Sequence, residues 1–531
     1  MFDKDQTNLP FNRNLAPNFS RLFSRRSSII KLTLFALFLG TIIWIIILKP
    51  LAESDSLSDF GVSAKNKKES TQPIWQIDLK KTIDERFSVY KKEQFTESAL
   101  EKNRLIPVTA VLLGWKRTEG LQTVVNYISK YPFIKEILVW NNNNETRIYA
   151  RDFSLNNSDV ELSVFNSEEN LHDLSKYTTC SMAKYDYCYF QDDDWLNLYM
   201  DSLYTNFLES PSLIHSNSMP TIYLESRKWM FANADKNLHT GFTWLGCGSF
   251  ISRAKVQRFL GQLGTISLMK DRLKLVDRYF SLWTNQYPYQ LSNPLTPLDQ
   301  KDGWGVDQRN MVYNNILDAT QKLYTALAVK SGSELFTREE EKPYYNDRVI
   351  RAPCLNDKCL FLTNIDPFPH PSRVYYANNI THVRNQEAKF NKLDFPSKFF
   401  WNNYAFHFAV DSDGQTCWNS FKIPKVGDYF GLQFVEPSFP KKVTILSSKD
   451  ISNFNASFNI QVSPDGNKWR TCNITNSNNT DYTYNNSITF EFDCSNIVKN
   501  KRLIRFIRIE ASRNFIEPFE ICSLILDELN V

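Results

Sequence analysis

The stretch VTAVLLGWKRTEGLQTVVNYISKYPFIKEILVWNNNNE, which runs from Val108 to Glu145, decides the fold. It opens with an unbroken apolar run, VTAVLL, of the kind that buried parallel strands show. Thr118 and Glu119 begin an amphipathic stretch that predicts a helix over Leu121 to Tyr131, and the next residue is a proline. KEILVW then predicts a second strand before an Asn-rich turn. The pattern therefore predicts a βαβ unit.

An acidic triplet follows the third predicted strand. This strand, YDYCYF, spans Tyr185 to Phe190 and leads into Asp192, Asp193 and Asp194. Alternating strands and helices predict an open α/β sheet with ligands at the C-terminal strand ends. Strand periodicity aims Asp192 and Asp194 to one side and Asp193 elsewhere. Two carboxylates suit Mn²⁺ or Mg²⁺, which keep positions for water and diphosphate oxygens. A solvated acidic turn or a helix N-cap is the alternative.

Composition excludes two classes of protein. The 42% hydrophobic and 14% aromatic content of the 531 residues excludes a mainly disordered chain. This length corresponds to about three domains. The 62 basic and 58 acidic residues are dispersed along the chain, so we expect no nucleic-acid partner.

An apolar run near the N-terminus predicts a membrane anchor. From Ile29 to Leu48 the chain is apolar over about 20 residues, apart from Lys31, which is long enough to span a bilayer. Arginines precede the run and acidic residues follow it, so the positive-inside rule places the N-terminus in the cytoplasm. A cleaved signal peptide is the alternative, but Lys49-Pro50-Leu51 is a poor cleavage site. We therefore predict a single-pass type II membrane protein.

Five regions follow from these patterns. They are a cytoplasmic tail (1–28), a transmembrane anchor (29–48), a Ser-, Lys- and Glu-rich stem (49–104), an α/β domain (105–398) and a β-rich domain (399–531). Everything after the anchor faces an oxidising lumen, where Asn-X-Ser/Thr sequons accept glycans. All nine cysteines lie there, and an odd number leaves at least one unpaired or intermolecular. Cys354 and Cys359 enclose a short loop and predict a local disulfide.

Beyond Phe399 the pattern becomes all-β. Short runs of β-formers are separated by Gly, Pro, Asn and Asp, which predicts a β-sandwich. The predicted strands are Gly431 to Val435, Lys442 to Leu446, Phe458 to Val462, Ser487 to Phe492 and Leu503 to Ile509.

The first block and the acidic triplet carry a family resemblance. Val108 to Glu145 is similar to the opening of the glycosyltransferase domain of the exostosin family, family 64. Trp244 to Leu260 (WLGCGSFISRAKVQRFL) and Gly303 to Val312 (GWGVDQRNMV) resemble its later segments. The resemblance implies a GT-A fold, a nucleotide-sugar donor, a Mn²⁺ or Mg²⁺ ion and retention at the anomeric carbon.

The resemblance also implies the site residues. The nucleotide-sugar-binding residues are Arg117, Asn141, Asn170, Asp192 and Asp193, and the metal ligands are Asp192 and Asp194. Asp307 is the candidate for the acidic residue that faces the reacting sugar, with Asp302 as its rival and an acidic turn without a catalytic role as the alternative. Helix capping or turn formation is the alternative role for Arg117 and Asn141. The family has Asn-Arg where this chain has Asn170-Leu171, so the donor stays open.

A second resemblance lies near the C-terminus. KVGDYFGLQF (Lys425 to Phe434), FNIQVSPDGNKWRTC (Phe458 to Cys472) and RLIRFIRIE (Arg502 to Glu510) look like three strands of discoidin, or coagulation factor type C, domains. These are jelly-roll sandwiches whose end loops often bind glycans or lipid headgroups. The resemblance implies a Cys417–Cys522 disulfide, which leaves Cys472 to pair with Cys494.

Together these features predict a Golgi membrane glycosyltransferase. It moves a hexosyl or N-acetylhexosaminyl group from a nucleotide sugar to a glycan, glycoprotein or glycolipid acceptor. One alternative is a catalytically inactive, membrane-tethered glycan-binding protein, a lectin or an adhesion protein. Another is a lumenal hydrolase, but spacing alone does not assign paired glycosidase carboxylates.

Overall fold

The computed structural model describes residues 105–220, 229–299, 308–329, 336, 350–367, 372–373, 403–451, 457–481, 486–494 and 504–527. The predicted anchor and stem, the division near Phe399, and Asp302 and Asp307 lie outside these ranges. Within them, no helix has the length and apolar character needed to cross a bilayer.

The first part of the described chain mixes strands and helices. Its elements are β1 (Val108–Gly114), α1 (Thr118–Ile128), β2 (Ile134–Asn141), β3 (Glu161–Asn166), α2 (Leu174–Ser181), β4 (Tyr187–Asp192), β5 (Trp195–Leu196), α3 (Met200–Glu209), β6 (His215–Ser218), β7 (Met230–Asn233), β8 (Leu238–Gly241), β9 (Ser249–Ser252), α4 (Arg253–Thr265), α5 (Lys270–Leu273), α6 (Val276–Trp283), β10 (Tyr289–Ser292), β11 (Thr296–Pro297) and α7 (Gln308–Ala328). Short 3₁₀ turns occupy Ala150–Asp152 and Ala234–Lys236.

The predicted βαβ opening is confirmed. Strand β1 pairs in parallel with β2 on one side and with β4 on the other. Alternate residues of β1 enter different cores: Ala110 packs with the helix α1 side, and Val111 packs with the side that contains Tyr177. Burial on both faces explains the continuous apolar run VTAVLL. Strand β3, which the sequence analysis did not predict, adds to β2 as a half-exposed edge.

The sheet continues on the other side of β4. Its order is β3-β2-β1-β4-β9-β6-β10, and β9 runs antiparallel to both of its neighbours. Strand β10 is again parallel to β6. The result is a mostly parallel sheet with apolar cores on both faces, which is the α/β class that the sequence predicts.

The remaining elements are almost entirely strands. They are β12 (Ile350–Pro353), β13 (Cys359–Thr363), β14 (Ser372–Arg373), the 3₁₀ turn Phe406–Ala409, β15 (Trp418–Asn419), β16 (Tyr429–Ser438), β17 (Lys442–Ser447), β18 (Phe458–Ser463), β19 (Arg470–Thr471), β20 (Asn473–Asp481), β21 (Asn486–Asp493), β22 (Ile504–Ala511), β23 (Glu520–Ile521) and β24 (Ser523–Leu526).

These strands form a jelly-roll-like β-sandwich, as the sequence predicts. One layer contains β13, β16, β22 and β18, and the other has the order β20-β21-β17-β24. Inward residues of both layers, among them Leu432, Ile445 and Phe490, share one apolar core. All five strands predicted from the sequence are present, and most of their ends lie within one or two residues of the predicted ends.

Disulfides tie the sandwich together. Cys417–Cys522 and Cys472–Cys494 are both formed, which confirms the pairing implied by the discoidin resemblance. Cys354–Cys359 closes the predicted local loop. A fourth bridge, Cys180–Cys188, joins α2 to β4 and was not predicted. Cys247 is buried and is not disulfide-bonded, in agreement with the odd cysteine count.

One sheet runs through both parts of the chain. Strand β12 pairs in parallel with β10, and β13 pairs antiparallel with both β12 and β16. Val435 of β16 and Leu360 of β13 also join the apolar core beside α1 and α3. Backbone hydrogen bonds and side-chain packing therefore both link the α/β part to the sandwich.

A chain that ends at Lys398 tests how far this shared sheet couples the two parts. It keeps β13 but loses β16, which leaves the edge of β13 unpaired. We expect scanning calorimetry of this truncated chain to show no single cooperative unfolding transition. The full chain with Cys417→Ala and Cys522→Ala is the control. It keeps every strand, so we expect cooperative unfolding with about 2–5 kcal/mol less stability. A cooperative transition in the truncated chain would instead support an independent boundary near Phe399.

Candidate active site at the strand ends

Strand register gathers polar residues at one edge of the α/β sheet. Gly114 of β1 lies opposite Asn141 of β2, and Asn141 lies opposite Asn166 of β3. On the other side of β1, Leu113 lies opposite Asp192. Because these four strands are parallel, their C-terminal ends and the loops that follow them share this edge.

The three carboxylates of the triplet differ in exposure. The Asp193 side chain is 3% exposed, whereas those of Asp192 and Asp194 are 34% and 21% exposed. Asp193 accepts hydrogen bonds from the backbone N–H of Trp115, at 3.3 Å, and from Arg117 Nε, at 2.9 Å. Its role is to fasten the loop after β1 to the end of β4. Asp192 and Asp194 remain the accessible pair, as strand periodicity predicts.

Arg117 forms ion pairs with two of these carboxylates. Its Nη2 lies 2.6 Å from Asp193 Oδ1, and its Nη1 lies 3.3 Å from Asp194 Oδ2. The guanidinium is therefore part of the site, and it also neutralises charge within the triplet. Its contact with a nucleotide diphosphate stays a prediction.

Asn141 and Asn170 both form local hydrogen bonds. Asn141 Nδ2 donates to Asn166 Oδ1 at 2.9 Å and to the Thr146 carbonyl at 2.6 Å, while its Oδ1 accepts the N–H of Asn143. Asn170 Oδ1 accepts the N–H of His172 at 2.8 Å. These bonds shape the loops after β2 and β3. Nucleotide binding by either residue stays a prediction.

Sequence reasoning missed Lys176, which lies beneath the triplet. Its side chain is 2% exposed, and its Nζ lies 3.0 Å from Asp192 Oδ1 and 2.9 Å from Asp277 Oδ2. Asp173, on the turn before α2, places an oxygen 4.0 Å from the same nitrogen. The helix that carries Lys176 also buries the polar residues Ser175 and Thr179, so the sequence gives no clear signal that this lysine is buried.

Further contacts hold this lysine and its carboxylates in place. Tyr177 donates its hydroxyl to Asp277 Oδ1 at 2.8 Å, and Arg278 pairs with Asp173 at 3.1 Å. The Arg278 guanidinium also stacks on Trp244, 4.5 Å from the ring centroid. The network joins α2, α6 and the segment before β9 to the end of β4.

Gly246 lets the backbone approach Asp192 closely. Its carbonyl accepts the N–H of Asp192 at 2.8 Å. A Cβ atom at this position would overlap the Asp192 carboxylate. The glycine-containing segment that resembles the exostosin family therefore has a steric reason for a glycine here.

Burial and mutual repulsion raise the pKa values of several of these carboxyls. Burial, followed by the charge of Asp192, raises the pKa of Asp194 to about 7. Burial and the charge of Asp277 raise the pKa of Asp173 to about 7. Burial alone would lower the pKa of Lys176, but the neighbouring carboxylates outweigh it and raise that pKa well above its ordinary value.

The charges of this cluster fit a divalent cation. In the described part of the chain, the carboxyls of Asp173, Asp192, Asp193, Asp194 and Asp277 outnumber the facing cations Arg117, Lys176 and Arg278 by two. Among the described residues, no group of three or more His, Cys, Asp or Glu side chains is arranged to hold a metal. Binding of Mg²⁺ or Mn²⁺ by Asp192 and Asp194, with water and phosphate as the remaining ligands, stays a prediction.

Comparisons with known proteins give limited similarity. No protein-family model matches the chain, and no curated protein matches it. CpGH89CBM32-5 from Clostridium perfringens, in complex with GalNAc-beta-1,3-galactose, is similar at 20% identity, over 24% of this chain and 84% of its own length. The CBM32-1 and CBM32-2 domains of Clostridium perfringens ZmpB are similar at 10% identity, over 52% of this chain and 58% of theirs. Both comparisons have a TM-score of 0.18, and the sandwich is defined by its own strand pairing.

The raised pKa of Asp194 predicts how stability depends on pH. The ordinary value is 3.8, so the folded protein binds this proton more tightly than the unfolded chain does. The stabilisation is present below about pH 4 and is lost as the pH rises towards about 7. We expect Asp194→Asn to reduce the fall in unfolding free energy between pH 5 and 7.5, measured by urea denaturation. Asp186→Asn, at an 84% exposed position, is the control. Equal slopes in wild type and Asp194→Asn would contradict the assignment.

Proposed function

We propose that the protein is a glycosyltransferase that binds the diphosphate of a nucleotide sugar at the strand-end cluster. The observation that carries this proposal is the pair of partly exposed carboxylates, Asp192 and Asp194, beside Arg117 at the C-terminal ends of parallel strands. Open α/β sheets bind ligands at this edge. A carboxylate pair next to a guanidinium suits a ligand that brings both phosphate and a divalent cation.

The architecture supports a GT-A-type domain for this part of the chain. The sheet is mostly parallel, and cores lie on both of its faces. The segment that resembles the exostosin family's glycine-containing region lies directly against Asp192 through Gly246. Two blocks of that resemblance therefore meet at one place in the fold, although they are far apart in sequence.

In this proposal each residue of the site has its own role. Asp192 and Asp194 hold the cation, Asp193 fixes the loop that carries Arg117, and Arg117 faces the phosphates. A bound Mn²⁺ or Mg²⁺ supplies positive charge that stabilises the departing nucleoside diphosphate. Asn141 and Asn170 as donor-binding residues, and Asp307 as the carboxylate that faces the sugar, complete the proposed set.

Donor hydrolysis by the full chain, purified in detergent, tests this function. We expect the wild type to hydrolyse one or a few members of a nucleotide-sugar panel when Mn²⁺ is present. Asp192→Asn and Asp194→Asn should each lower the rate at least a hundredfold, because each removes a cation ligand. Asp186→Asn, just before the same strand, should leave it unchanged. Hydrolysis that survives both ligand substitutions would contradict the site assignment.

Glycan binding without catalysis is the second candidate function. Each carboxylate of the triplet already has a cationic side chain within 3.3 Å, an arrangement that is also stable without a ligand. In the sandwich, the Arg508 guanidinium lies 4.7 Å from the ring centroid of the buried Tyr429 and 4.2 Å from that of the partly exposed Trp469. Aromatic and planar polar side chains of this kind contact sugars. Glycan-array binding that Trp469→Ala abolishes, together with no donor hydrolysis, would favour this candidate.

The Golgi membrane and a type II orientation are part of the same proposal. They rest on the apolar run from Ile29 to Leu48 and on the disulfides, which form in oxidising compartments. A glycosylation tag at the N-terminus should stay unmodified, whereas sequons in the lumenal region should carry glycans. A modified N-terminal tag would reverse the proposed orientation.

A further inference from the structure

Lys176 has contacts that a lysine packed only for helix stability does not need. It is 2% exposed, yet it lies within 4.0 Å of three carboxylates, and one of these is the accessible Asp192. A buried charge is retained only when it is well paired, because taking an ion out of water is costly. The lysine is thus a fixed cation directly behind a carboxylate of the site.

The placement of this ammonium is rigid. Helix α2 is covalently joined to β4 by Cys180–Cys188, so the strand that carries Asp192 and the helix that carries Lys176 are held together. Asp277 accepts hydrogen bonds from both the Lys176 ammonium and the Tyr177 hydroxyl. Lys176 therefore fixes the position of the Asp192 side chain, which remains 34% exposed.

The lysine also sets the charge of the site. Removing the Lys176 ammonium would make the cluster more negative by one charge. A more negative site attracts a divalent cation more strongly and repels an anionic diphosphate more strongly.

We propose that Lys176 is a specificity-determining and positioning residue that orients Asp192 and lets the site accept one divalent cation together with a diphosphate. This inference rests on the proposed function. In this role the positive charge of Lys176 weakens the binding of the cation and strengthens the binding of the anionic diphosphate. A purely structural lysine would affect both ligands in the same direction.

Charge variants of the full chain in detergent provide the test. Mn²⁺ affinity is measured by electron paramagnetic resonance. Affinity for uridine or guanosine diphosphate, whichever the wild type binds more tightly, is measured by calorimetry at saturating Mn²⁺. We expect Lys176→Met to bind Mn²⁺ at least tenfold more tightly and the nucleotide at least tenfold more weakly. Asp277→Asn, which keeps the hydrogen bond from Tyr177, should bind Mn²⁺ more weakly and the nucleotide more tightly than the wild type does.

Two controls separate the outcomes. The double variant Lys176→Met with Asp277→Asn restores the charge and should return both affinities to within about threefold of wild type. Lys255→Met removes another buried lysine, whose ammonium bonds to Gln286 at 2.7 Å, and should change neither. If Lys176→Met does not fold, the changes in the two affinities of Asp277→Asn still test the proposal. Parallel loss of both ligands, or no change in folded variants, overturns the role of Lys176. A wild type that binds neither ligand overturns the proposed function itself.

Discussion

The parallel pairing of β4 with β1 is the interaction on which the rest of the site depends. It sets Asp192 opposite Leu113, so the acidic triplet emerges beside the loop that carries Arg117. Asp193 then closes this arrangement from inside through Trp115 and Arg117. A shift of one residue in this register would move Asp193 away from the backbone of Trp115 and from Arg117.

Much of the fold could be predicted from the sequence because its signals are local. A continuous apolar run such as VTAVLL is typical of a strand buried on both faces, and β1 is such a strand. The turn residues between short β-runs predicted the sandwich strands to within a few residues. Strand β3 was missed because half of its six residues are polar and it lies at a half-exposed edge.

The candidate site was only partly predictable, since its second half comes from distant segments. Asp192 and Asp194 could be found because they directly follow a strand. Lys176 and Asp277 lie 101 positions apart and meet only in the folded chain, so no spacing rule brings them together. The Cys180–Cys188 bridge, with a sequence separation of 8, was not predicted, whereas the discoidin resemblance supplied Cys417–Cys522.

The candidate site and the sandwich lie on one continuous sheet. We propose that Asp192 and Asp194 together hold a cation that contacts the diphosphate of the donor. Electron–nuclear double resonance of the full chain, loaded with Mn²⁺ and a nucleoside diphosphate, tests it directly. The account predicts phosphorus-31 coupling to the metal in the wild type, and its loss in the variant with Asp192→Asn and Asp194→Asn. Coupling that persists in this double variant, or is missing from the wild type, would contradict it.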